Sequence, residues 1–177
     1  VKSMYELTGG DYNTSIGYAS LYKTTTGYGN TALGYYSLVD NTTGYYNAAT
    51  GHYSLGDNTT GYHNSAFGVL SLRENTSGYG NNGFGYGALY NNLTGDYNVA
   101  LGYQAGYNAL GDKNVFIGHQ AGFSETGSNK LYIDNSSTTT PLIGGDFSTN
   151  DVTINGDLGV GTSPAVGYAL DVDGQSR

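Results

Sequence analysis

NTALG at residues 30–34, NAATG at 47–51 and NSAFG at 64–68 are three copies of one Asn-to-Gly pentad. Reading outward in both directions, NTSIG begins at Asn13, NNGFG at Asn81, NVALG at Asn98 and NVFIG at Asn114. The step between copies is 17 residues five times and 16 at the last. A fixed period of this length means one structural unit stacked along an axis, each copy touching its neighbours.

Two further columns share the period. Gly10, Gly27, Gly44, Gly61, Gly78, Gly95 and Gly111 stand three residues before the Asn, and Gly17, Gly34, Gly51, Gly68, Gly85, Gly102 and Gly118 stand four after it. They imply two corners per coil, where the backbone needs positive φ or close approach. Two glycines in every coil would weaken a helix repeatedly, so short strands between corners are expected. The column Ile16, Leu33, Thr50, Phe67, Phe84, Leu101 and Ile117 and the column Leu21, Leu38, Leu55, Leu72 and Leu89 are expected to point inward and fill a flattened tube. The Leu column fails at Gly106 and Gly122, so the last two coils differ. Equivalent residues stacked about 4.8 Å apart give a rod on the order of 30 Å long. Asn13, Asn30, Asn47, Asn64, Asn81, Asn98 and Asn114 would then form a ladder of side-chain amides.

Composition fits a narrow core. Leu, Ile, Val and Phe make up about one-fifth of the chain, and the net charge is −8. That combination ordinarily reads as disorder, but apolar residues held in register over seven copies argue for a thin interior completed by stacking and by other chains. There is no Cys, which removes disulfides and thiolate metal sites. The acidic balance argues against nucleic acid, and no apolar run is long enough to span a membrane. The opening VKSMYELTGG has no signal-peptide pattern and reads as an internal cut from a longer chain.

After about Phe123 the period stops. Strand-like pieces at 130–134, 141–143, 151–154, 158–160 and 169–172, separated by Gly, Asn, Asp and Thr, suggest a second β-rich module. The expected division is a repeat head over 1–122 and a shaft or junction over 123–177.

The pentads NTALG, NSAFG, NVALG and NVFIG resemble the head repeats of trimeric autotransporter adhesins of the YadA type, over about residues 10–122. The period of 17 is longer than is usual there, and the chain is richer in Tyr. SNKLYIDNSSTTTPLIGGDF and INGDLGVGTSPAVGYALDVDG are similar to the region preceding the intramolecular chaperone of phage tail fibres, over about 128–174. Both resemblances imply an elongated extracellular homotrimer whose task is attachment, on a virion tail fibre or a bacterial cell surface.

No catalytic or metal-ligating constellation stands out, and no cofactor is expected. His52, His63 and His119 occupy columns held elsewhere by Tyr and read as surface aromatic exchanges. Asp40, Asp57 and Glu74 share a column that is either solvated or bridged by a cation such as Ca²⁺. GVGTS from Gly159 lacks the Lys of a phosphate loop and reads as a turn. The sequons beginning at Asn41, Asn58, Asn75, Asn92 and Asn135 follow mostly from the repeat. Thr25, Thr42, Thr59 and Thr76, with Thr26, Thr43, Thr60, Ser77 and Thr94 beside them, raise an ice-binding alternative, although only one of two adjacent strand columns can face out.

The candidate ligand contacts are aromatic. Tyr28, Tyr45, Tyr62 and Tyr79 form one column, flanked by Tyr12, Tyr46 and Tyr97. Tyr joins a flat apolar face to a polar tip, which suits a sugar ring and equally suits an interface between chains. The expectation is an all-β, parallel β-solenoid (β-roll) of seven coils with a shaft-like C-terminal module. Its partners are its own copies in a homotrimer and host-surface glycan, with neither nucleic acid nor membrane insertion. A purely structural spacer is the alternative, and an enzymatic role is not expected.

Overall fold

A computed structural model describes residues 2–156. Ten short strands form one sheet in chain order: β1 (Thr14–Ile16), β2 (Thr31–Leu33), β3 (Ala48–Thr50), β4 (Ser65–Phe67), β5 (Asn82–Phe84), β6 (Val99–Leu101), β7 (Val115–Ile117), β8 (Lys130–Ile133), β9 (Ile143–Asp146) and β10 (Asp151–Ile154). β1 to β8 pair in parallel, with Thr14 beside Thr31, Thr31 beside Ala48, and so on down the stack. The chain is therefore an all-β solenoid of about seven turns. No helix among the described residues is long and apolar enough to cross a membrane.

The Asn ladder is the frame. Each Asn Oδ1 accepts the backbone N–H of the next Asn at 2.9–3.0 Å, from Asn13 through Asn114. Each Nδ2 donates to the glycine carbonyl of the next coil at 2.7–2.9 Å. A second ladder runs beside it. Asn58 donates to Asn41 Oδ1, Asn75 to Asn58 and Asn92 to Asn75, at 2.8, 2.9 and 3.3 Å. These four Asn are fully buried, so the sequons they begin are interior positions closed to glycosylation in the folded chain. Asn135 is exposed.

The two glycine columns do different work. At Gly51 φ is +137°, and a Cβ would collide with the carbonyl of Gly68. Gly44 needs only space: its φ is not positive, but a Cβ would meet Asn41 Oδ1 and the Gly61 carbonyl, the acceptor of both Asn ladders.

The core departs from expectation. Only one bulky column points inward, Leu21, Leu38, Leu55, Leu72 and Leu89, all at 0% exposure. Facing it are Ala32, Ala49, Ala66, Gly83 and Ala100, the middle residues of their strands. Ile16, Leu33, Thr50, Phe67, Phe84, Leu101 and Ile117 sit one residue further on and point outward, as the pleat requires. Ile16 is 66% exposed and Leu101 53%. The tube between two Asn ladders is too narrow for a second large residue, so the column expected inside lies on the outer face.

The core Leu residues adopt left-handed backbone, with φ of 49–54°. That conformation costs about 1–2 kcal/mol. Burying a Leu side chain returns about 1.5–3 kcal/mol, so burial holds the strained backbone in place. Ser37, Ser54 and Ser71 beside them donate to the strand of the next coil, at 3.1, 2.9 and 2.9 Å.

The parallel stack runs one rung past the visible period. The Lys130 N–H donates to Asn114 Oδ1 at 2.8 Å, and β8 lies in register on β7. The sheet thus crosses the 122/123 boundary without a break. β9 then reverses direction against β8, and β10 against β9. The strand expected at 130–134 is β8 and that at 151–154 is β10, while the piece at 141–143 begins two residues later as β9. The pieces at 158–160 and 169–172, and the turn at Gly159, lie outside the described residues.

Candidate functional site

Stacking coils at a fixed rise converts each aromatic column into a pile of rings. Tyr28, Tyr45, Tyr62 and Tyr79 stack face to face with centroids 5.1, 4.8 and 4.7 Å apart and planes within 7°. Tyr46 meets the Tyr28 ring edge-on at 5.1 Å, and Tyr97 meets Tyr79 likewise at 5.0 Å. Tyr12, Tyr46, His63 and Tyr97 share a left-handed column with φ of 53–61°, whose other members include Gly29 and Gly80. Tyr46 and Tyr97 are each 53% exposed; Tyr45, Tyr62 and Tyr79 are half-buried. The column ends in acid at both sides, at Asp11 and Asp96. The Tyr79 N–H donates to Asp96 Oδ1 at 2.9 Å. A hydrogen bond with Tyr97 and the Asp96 carboxylate push the Tyr79 phenol up to about 12.

This geometry sets what the stripe can bind. The faces of Tyr45 and Tyr62 are each covered on both sides by neighbouring rings. A ligand along the stripe meets ring edges and a row of phenol hydroxyls spaced by the coil rise. Hydroxyl rows of this kind donate and accept hydrogen bonds, the exchange that a sugar offers. Flat stacking on a sugar ring is open only at the end of a pile.

Other rings behave in the same way. Tyr18, Tyr35 and His52 form one pile, and Tyr86, Tyr103 and His119 another. His63 stacks on Tyr46 at 5.3 Å. Each His therefore takes the place of a ring in a pile.

The acidic column meets the chain's own cations. Lys23 Nζ lies 2.9 Å from Asp40, and the Arg73 guanidinium contacts Asp57 and lies 4.0 Å from Glu74. Lys23 belongs to the same column as the three acids, one coil earlier, a signal that sequence reading passed over. The threonine columns lie in bends between the strands and divide into an inner and an outer file. Thr25, Thr42, Thr59 and Thr76 are turned inward enough to donate their hydroxyls to the next coil's backbone at 2.9–3.2 Å. Only Thr26, Thr43, Thr60, Ser77 and Thr94 stand exposed, as a single file.

The sheet's outer face is the site that sequence reading missed. Phe67 and Phe84 stack on it at 5.1 Å and are 40% and 38% exposed. Val99, Leu101, Val115, Ile117, Leu131 and Ile133 extend it across three rungs. A contiguous apolar strip of this kind is larger than the single apolar residues scattered over an ordinary surface. The alternation of β1–β7 could have revealed it, had the strand's middle residue been taken as the inward one.

Comparison of the chain with protein-family models, with curated proteins and with solved structures finds no match.

Proposed function

We propose that this chain is a non-enzymatic segment of an extracellular attachment fibre, of the phage tail-fibre or bacterial surface-adhesin kind. In this reading it is an elongated homotrimer that touches host-surface carbohydrate through its tyrosine columns. One observation carries the reading: the stack presents ordered polar aromatics on one flank and, on the outward sheet face, an apolar file running from Phe67 through Phe84, Leu101 and Ile117 to Ile133. The apolar face supports packing of three chains around a common axis, with β1–β8 innermost. That leaves the Tyr28–Tyr79 column at a corner of the coil, free for ligand.

Sedimentation of the intact chain tests the assembly. A trimer is expected, and Leu101→Asp with Ile117→Asp should release monomers. Retention on host cells tests the attachment, with Tyr45→Ala and Tyr62→Ala expected to lose it while the trimer persists. A structural spacer is the second reading, favoured by the covered ring faces of Tyr45 and Tyr62. It prevails if those substitutions dissociate the trimer, or if the wild-type chain is retained on no host surface.

A further inference from the structure

Near its N-terminal coils the repeat breaks its aromatic pattern, and a cavity of about 410 Å³ opens there. In the column of left-handed residues after the second glycine corner, Tyr36 and Tyr53 stack at 4.9 Å. The next position towards the N-terminus is Ala19, which brings no ring and forms the floor. Across the gap, Tyr22 stacks on Tyr5 at 5.2 Å, but the following positions in its column are Val39 and Gly56. Arg73 folds back over Gly56 and places its guanidinium 5.0 Å from the Tyr53 ring. Two aromatic piles thus stop short on opposite sides of one groove, where Tyr18 meets the Tyr36 ring only at a tilt, 5.7 Å away.

Charge collects in the same groove. The whole chain carries six Lys and Arg against fourteen acids. Three of the six, Lys2, Lys23 and Arg73, line this cavity, with Asp40 and Asp57 the only acids among its walls. Lys23 and Arg73 are paired to those two acids. Lys2 has no carboxylate within 4.0 Å among the described residues. Lys2 is therefore the one cation lining the groove that has no carboxylate partner among the described residues.

We infer that this groove binds a carboxylate-bearing sugar unit, an acidic monosaccharide within a glycan. The sugar's apolar face rests against the open face of Tyr36, beside Tyr18 and over Ala19. Its carboxylate meets Lys2 and Lys23, and its hydroxyls exchange hydrogen bonds with Asp40 and Arg73, whose ion pairs hold them ready. The inference rests on the attachment reading for the glycan class but uses a different face from the Tyr28–Tyr79 column.

Calorimetric titration of the intact chain with methyl glucuronide and with methyl glucoside tests it. The acidic sugar should bind about tenfold more tightly at low salt, and the preference should shrink as salt rises. Ala19→Tyr should remove binding by filling the gap. It copies the residue and backbone of Tyr36, so the circular dichroism and melting temperature should stay as in wild type. Lys2→Met should weaken the glucuronide and leave the glucoside unchanged. Thr60→Ala, on the exposed threonine file, should leave both unchanged. Equal affinity for the two sugars, or a glucuronide affinity untouched by Ala19→Tyr, overturns the assignment. Cell retention lost in Tyr45→Ala but kept in Ala19→Tyr, with no glucuronide binding, sinks the groove and leaves attachment standing. Groove-dependent glucuronide binding with no cell retention does the reverse.

Discussion

The coils from residue 27 to 94 and those from 95 to 126 wind alike but are filled in opposite ways. In the first group a Leu from the left-handed corner reaches across to an Ala or Gly in the middle of the strand. In the second, Gly106 and Gly122 occupy the Leu positions, with φ of 59° and 62°, and Phe116 enters from the strand side. A Cβ at either glycine would collide with the Phe116 ring. The second Asn ladder stops in the same place, where Ala109 is buried in the position of Asn92 and the coil shortens by one residue. The first ladder passes through unchanged. The frame of Asn and Gly therefore sets the winding, and the filling is interchangeable so long as volume is conserved.

Phe116→Ala should break the second group most. It empties the only large core residue there and should cost about 3–5 kcal/mol, read from denaturant midpoints. The sharper test adds Gly106→Leu and Gly122→Leu. That triple variant copies the first group on a compatible backbone and should recover most of the loss. Failure to recover would mean that the two fillings are not equivalent.

Asn64→Ala strikes the frame that both groups share. It strands the buried Asn81 N–H and removes a donor from the Gly78 carbonyl. The expected cost is about 2–4 kcal/mol, seen as a lowered melting temperature. An effect no larger than that of an exposed Thr26→Ala would show that the ladder is incidental.

Thr24→Asn should act in the other direction. Thr24 is buried at the start of the second ladder with its hydroxyl unpartnered. An Asn there adds a rung above Asn41 and should stabilise by about 0.5–1.5 kcal/mol.

The smallest effect expected is alkaline. Burial and a hydrogen bond to Glu125 push the Tyr132 phenol up to about 12, and Tyr79 reaches a similar value. Both are raised above the ordinary value of about 10. Their contribution is fully present below that value and is lost as pH climbs towards 12. Phenolate absorbance should rise together with loss of structure over that window.

The period, both glycine columns and the Asn ladder were legible because each needs one residue type at one position. Sidedness was not. In a three-residue strand the outward positions outnumber the inward one, and the outward Leu, Ile and Phe here are the larger residues. Asn41, Asn58, Asn75 and Asn92 were read as sequons because the threonine file beside them completes that pattern. The eighth rung was hidden because Lys130 replaces the Asn, although Gly127 falls 16 residues after Gly111 and accepts from Asn114 Nδ2 at 2.9 Å. The cavity at Ala19 was illegible because it arises from a missing ring, and only stacking reveals what a small residue leaves open.

The reversal at β9 has a consequence for assembly. A pile of like-oriented rungs ends in an edge that can template the start of another molecule, and so can grow into a filament without limit. Here β9 and β10 run against that grain and seal the β8 edge. A strand added parallel to β8 at this end of the stack meets neighbours of the wrong polarity.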